Sequence, residues 1–164
     1  RMAGSAIAAG EAGDPAAWII PSEQHDEAAS TELVNVLMRG GIEVHRTDAP
    51  LQANGRTYAA GSYVVPAAQA FRNYAVDLLE PQRYPDRRLY PGGPPARPYD
   101  MSGWTLPFQM GVRVDRVERP LSISSERIGE AVRLQGRVEG DGDTWVIDPR
   151  QSAASRRYRG ASIR

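Results

Sequence analysis

Residues 61–114 constrain this chain more than any other stretch, because a clean helical pattern runs straight into a long loop of prolines, glycines and aromatics. Phe71, Tyr74, Ala75, Leu78 and Leu79 recur at i, i+3, i+4, i+7 and i+8, one apolar face of a helix. Pro81 ends that helix, since it lacks the N–H and its ring clashes with the preceding turn. Pro81, Pro85, Pro91, Pro94, Pro95, Pro98 and Pro107 then interrupt any regular structure, with Gly92, Gly93 and Gly103 between them. Disordered segments are poor in aromatics, whereas Tyr84, Tyr90, Tyr99, Trp104 and Phe108 recur through this loop and its C-terminal edge. The expectation is an ordered strap laid across a core, since loops of this length in compact domains are functional or serve as binding elements.

The flanking sequence supplies that core. Ala17–Ile20 (AWII) reads as a short buried strand closed by Pro21 and a polar loop. Asp26 then stands as a helix N-cap, with Leu33, Val34, Leu37 and Met38 as the apolar stripe and Gly40-Gly41 as the stop. Ile42–His45 alternates as a second strand, so strand, helix and strand form a β-α-β unit whose two strands should run parallel. Asn54-Gly55 is a two-residue hairpin signal, because both positions tolerate positive φ. A third strand is expected at Ser62–Val65, another at Met110–Val117, and two more at Ala131–Val138 and Thr144–Ile147. The fold class is therefore α/β, a small two-layer or three-layer sheet around the β-α-β unit, with the long loop and additional strands toward the C-terminal end. The expected organisation is a flexible segment over 1–15, an α/β accessory domain over 16–120, a β-rich segment over 121–149 that could open a following domain, and an arginine-rich tail over 150–164.

Composition narrows the chemistry. Twenty arginines balance twenty acids, so no polyanionic partner is indicated and nucleic acid is disfavoured. With no cysteine in the chain, disulfides, thiolate metal sites and a cysteine nucleophile are excluded. No run is long and apolar enough to span a membrane, and the start of the chain makes a poor signal peptide. The opening Arg1 and the run TWVIDP close to the end suggest a fragment of a longer polypeptide.

The only histidines are His25 and His45, and His25 is followed three residues later by Ala28, so the His-x-x-Glu pattern of zinc peptidases is absent. No Gly-x-Ser-x-Gly elbow and no phosphate-cradling glycine pattern occurs. Gln24, His25 and Asp26 do lie where a strand runs into a helix, the usual ligand-facing edge of an open α/β sheet, although helix capping accounts for Asp26 equally. Tyr99, Asp100 and Trp104 form a second binding candidate, because an amphipathic ring beside a carboxylate can grip a peptide or sugar; loop packing is the competing role. No residue is assigned to catalysis or to a metal.

The run GSYVVPAAQAFRNYAVDLLEPQRYPD at 61–86, followed by RPYDMSGWTLPFQMGVRV at 97–114, resembles a region of large bacterial proteins of the zinc carboxypeptidase (carboxypeptidase A type) family, downstream of their catalytic domain. Residues 17–46 fit the same pattern, and DTWVIDP at 143–149 is similar to the opening strand of a class I glutamine amidotransferase-like domain. The resemblance spans about residues 16–148 and is most specific over 61–114. It implies a secreted or periplasmic metallocarboxypeptidase parent whose zinc ligands and catalytic glutamate lie upstream of Arg1, so none transfers to a residue of this chain. Nor does an amidotransferase nucleophile transfer, because active members need cysteine. The implied function is a non-catalytic accessory region whose partner is the catalytic domain of its own polypeptide, with peptide substrate as a further ligand. The alternatives are a stand-alone peptide- or glycan-binding module using the aromatic loop, and a hydrolase using His25 with Asp26.

Overall fold

A computed structural model describes residues 2–81, 86–96, 105–122, 124–136, 139–140 and 146–153. The main sheet contains β1 (Ala17–Ile20), β2 (His45–Thr47), β5 (Tyr63–Pro66), β6 (Asp115–Val117) and β7 (Ser125–Arg127), in the order β6-β1-β5-β2-β7. A separate hairpin pairs β3 (Leu51–Ala53) with β4 (Arg56–Tyr58). The helices are α1 (Met2–Glu11), α2 (Glu27–Arg39), α3 (Arg72–Leu79) and α4 (Leu106–Met110).

The sheet separates two apolar layers. Strand side chains alternate faces, so Trp18, Ile20, Tyr63 and Val65 meet Leu33, Val34 and Leu37 of α2 and Ala75 and Leu79 of α3 on one side. Ile19, Val64 and Val117 meet Leu51, Ala53 and Tyr58 of the hairpin on the other. The result is an α/β fold of helices, sheet and hairpin in three layers.

The β-α-β unit is present with its strands apart. β5 is antiparallel to both β1 and β2, so those two run in the same direction but are separated by one strand. Sequence spacing shows that α2 crosses over; it carries no information on which later strand enters the gap. The hairpin forms at Asn54-Gly55 with φ of 51° and 70°, the left-handed conformation that a two-residue turn requires.

Several expectations need correction. Residues 2–11 form α1 instead of a flexible lead-in: its alanines favour helix, and Gly10 lets it approach so closely that a Cβ there would lie 2.3 Å from the Ala67 carbonyl. The second strand starts at His45, and Ile42 and Val44 are buried in the extended segment before it. Met110 ends α4 and the strand expected from it begins only at Asp115, with Gly111 at φ 65° closing the helix. Residues 131–136 and 146–147 form no strand; Val132 is instead held by Asn35 of α2, through bonds of 2.8 and 2.9 Å. β7 pairs with β2, so residues 125–127 belong to the main sheet and not to a following unit.

The strap also differs from expectation where it is described. Residues 86–96 fold on themselves through an Arg88–Pro95 bridge, and the Tyr90 ring lies over Gly93. Leu89 and Tyr90 remain 69% and 62% exposed, so this part does not pack across the core. The prolines remove N–H donors that would join it to the sheet. Tyr84, Tyr99, Asp100 and Trp104 lie outside the described residues.

Candidate functional site

The loop from Pro21 to Asp26 leaves β1 and enters α2, so the backbone brings Gln24, His25 and Asp26 to one end of the sheet. Gln24 is anchored at both ends of its amide. Its Nε2 donates to the carbonyls of Pro21 and Arg113 at 2.9 and 3.0 Å, and its Oε1 accepts from the Arg113 N–H at 2.9 Å. The side chain thus acts as a short piece of strand, holding the approach to β6 against the β1–α2 loop.

Asp26 caps α2. Its Oδ1 accepts from the N–H groups of Ala28 and Ala29 at 2.9 and 3.2 Å, and its Oδ2 from Ser152 at 3.1 Å. Burial raises its pKa, but the hydrogen bonds from Ser152, Ala29 and Ala28 outweigh burial and hold it below the usual carboxylate value. His25, between them, is exposed. Across from it, Asp148 is lowered to about 2, chiefly by its hydrogen bonds to Arg150, with nearby His25 adding a smaller pull. The three neighbours in sequence therefore do different work: Gln24 and Asp26 secure backbone, and His25 faces solvent.

A denser polar network, which sequence reading missed, sits beside β1. The buried Trp18 donates its indole N–H to Glu80 Oε1 at 2.6 Å, and Arg116 Nε meets the same oxygen at 3.1 Å. Arg116 also pairs with Glu118 at 3.1 Å and with Asp14. Thr105, at φ 52°, donates its hydroxyl to the Glu80 carbonyl at 3.1 Å. One strand away, Tyr58 donates to Asp115 Oδ2 at 3.0 Å, and Arg113 Nε lies 3.6 Å from that oxygen. Burial, then the hydrogen bond and negative charge of Asp115, raise the Tyr58 phenol above its usual pKa of 10.0. Asn54, Arg56, Tyr58 and Asp115 line a shallow groove of about 320 Å³ between the hairpin and β6. Only the terminal position of Glu80, just before Pro81, was visible beforehand; the Trp18–Arg116 register that brings it a partner is a property of the folded sheet.

His45 Nδ1 stands 3.3 Å from Ser125 Oγ across the β2–β7 pair. Among the described residues no group of three or more His, Cys, Asp or Glu side chains could hold a metal ion. Nor, among them, is any helix long and apolar enough to cross a membrane. No family model, curated protein or solved structure matches this chain.

Proposed function

We propose that this chain is a non-catalytic accessory unit of a longer polypeptide of the zinc carboxypeptidase type, placed beside a catalytic domain that supplies the zinc. The observation that carries the non-catalytic part is the use made of the β1–α2 loop. At the edge where an open α/β sheet would hold a ligand, Gln24 and Asp26 are committed to backbone groups of Pro21, Arg113, Ala28, Ala29 and Ser152. Only His25 projects freely from that set, and a single exposed imidazole has no positioned partner with which to activate water. The parent assignment rests on the resemblance of residues 61–114, and a secreted or periplasmic location follows from that parent.

Metal analysis and peptide digestion test this directly. The purified chain should carry no stoichiometric zinc and release no C-terminal residue from a peptide with a free carboxyl end. One zinc per chain together with such release would overturn the reading. Sequencing the coding region upstream of Arg1 tests the parent, which requires a His-x-x-Glu and a later histidine there.

A second reading, a peptide- or glycan-binding module, is favoured by the exposure of Tyr90 and Phe108, at 62% and 74%. Aromatic faces left in water are suited to stacking on sugar or peptide. Tryptophan fluorescence titrated with cell-wall fragments and peptides separates the two, since an accessory unit leaves the emission unchanged.

A further inference from the structure

Thr47 sits in a row of hydroxyl side chains that crosses three strands on the hairpin side of the sheet. Its N–H donates to the Ser62 carbonyl at 2.9 Å and its carbonyl accepts from Gly61 at 2.8 Å, so its backbone is bonded toward β5. On the other flank it stands opposite Ser125 of β7, in a non-hydrogen-bonded position where cross-strand side chains are closest. Both neighbours are occupied. Ser62 Oγ donates to Ala59 at 2.7 Å and accepts from Ser22 at 3.1 Å, while Ser125 Oγ is turned to His45. The Thr47 hydroxyl is left with no partner among the described residues, on a side chain only 3% exposed.

A buried hydroxyl without a partner costs about 1–3 kcal/mol, and such groups in native proteins call for a water or a ligand. Thr47 also lines a cavity of about 180 Å³ between the start of the hairpin and the segment entering β7. One water occupies roughly 30 Å³ of liquid volume, so the space exceeds what a single bridging water needs. The remaining polar lining is Ser122, Ser124 and Gln52, and the opposite wall is Pro50 and Leu51. No charged side chain lines it, so an ionised ligand would be desolvated without a counter-charge.

We infer that this cleft binds a small neutral polyhydroxy ligand of about one pyranose ring, with the Thr47 hydroxyl as its buried anchor. Such a ring matches the lining on both sides: its hydroxyl rim meets Thr47, Ser122, Ser124 and Gln52, and its C–H face meets Pro50 and Leu51. The Gln52 Nε2 already donates to Thr57 at 2.8 Å, which fixes the amide and turns its other end to the ligand as an acceptor. Binding requires one step between staggered χ1 rotamers of Thr47, exchanging its γ-methyl and hydroxyl at the cavity wall. This site is independent of the aromatic loop and of any carboxypeptidase parent.

The test is an NMR titration of the whole chain with D-glucose, with glycerol as a smaller polyol and inorganic phosphate as the charged control. Saturable millimolar shifts confined to the Thr47 methyl and the amides of Gln52, Ser122 and Ser124 are expected with glucose and absent with phosphate. Thr47→Val should keep or raise the melting temperature, because a methyl replaces an unpaired hydroxyl, and should weaken glucose binding at least tenfold; Thr47→Ser should retain binding. No saturable shift with either polyol, or equal binding by Thr47→Val, would mean that the cavity holds water only and would overturn the assignment. Were Thr47→Val to misfold, the wild-type titration and Thr47→Ser would still decide it, loss of binding in the hydroxyl-retaining variant counting against.

Discussion

Trp18 Nε1 donates to Glu80 Oε1 at 2.6 Å and thereby ties an inner strand of the sheet to the last turn of α3. Trp18 is 1% exposed, so its N–H has no access to water as a substitute partner. Glu80→Ala should therefore cost about 1–3 kcal/mol, the penalty of stranding a buried donor. It also removes one of three acids around Arg116. Glu80→Gln keeps an oxygen acceptor and should cost less. Urea midpoints of the two variants check this; equal losses would show that charge on Glu80, and not its acceptor, matters at Trp18.

Two glycines separate backbone from side-chain crowding. A Cβ at Gly10 would lie 2.3 Å from the backbone carbonyl group of Ala67, whereas one at Gly40 would lie 2.2 Å from the Tyr74 ring. Backbone at the end of β5 has nowhere to go, so Gly10→Ala should displace α1 and cost about 1–3 kcal/mol, as overpacking does. The Tyr74 ring is 41% exposed and can swing outward, so Gly40→Ala should be nearly neutral in thermal melting. A larger loss at Gly40 than at Gly10 would refute the distinction.

The parts of the fold legible in the sequence are those encoded within a few neighbouring residues. Asp26 as the cap of α2, the Asn54-Gly55 turn and the span of α3 depend on local φ/ψ and period. Phe71 and Tyr74 were counted with the buried face of α3, yet they cover Gly41 and Gly40 and stay 54% and 41% exposed. The helical period shows which side chains share a face; it cannot show where the partner surface ends. Long-range pairings were not legible. The entry of β5 between β1 and β2, the Trp18–Glu80 bond and the clasp between Asn35 and Val132 join segments far apart in the chain. The same holds for the site. Gln24 and Asp26 could be placed at a sheet edge from their neighbours, but their commitment to Arg113 and Ser152 could not.

Acid should weaken the fold partly through Asp26. Its carboxyl is held below the ordinary value of 3.8 in the folded chain, so the unfolded chain binds its proton first as pH falls. The contribution is fully present above that ordinary value and is lost as pH falls through the lower folded-state value. Asn is about as good an N-cap as Asp but does not titrate. Asp26→Asn should match wild type within about 1 kcal/mol near pH 7 and lose less stability between pH ~5 and ~2.5. Chemical denaturation across that range measures it, and parallel pH profiles would remove Asp26 from the acid response.

Asn35 is the one side chain of α2 that grips the segment beyond β7. Its Nδ2 donates to the Val132 carbonyl at 2.9 Å and its Oδ1 accepts from the Val132 N–H at 2.8 Å, with Asn35 itself 9% exposed. This segment forms no strand here, so that two-bond clasp and the packing of Ile128 and Val132 are what hold it on the helical layer. Asn35→Ala removes both bonds together. Val132 then regains water as the segment lifts, which limits the global cost to about 1 kcal/mol, while local opening becomes far easier. Amide hydrogen exchange should show Val132 losing its protection in Asn35→Ala with β1 and β5 unchanged. If Val132 stayed protected, apolar packing and not the clasp would hold the segment; if protection fell throughout the sheet, Asn35 would be supporting the core itself.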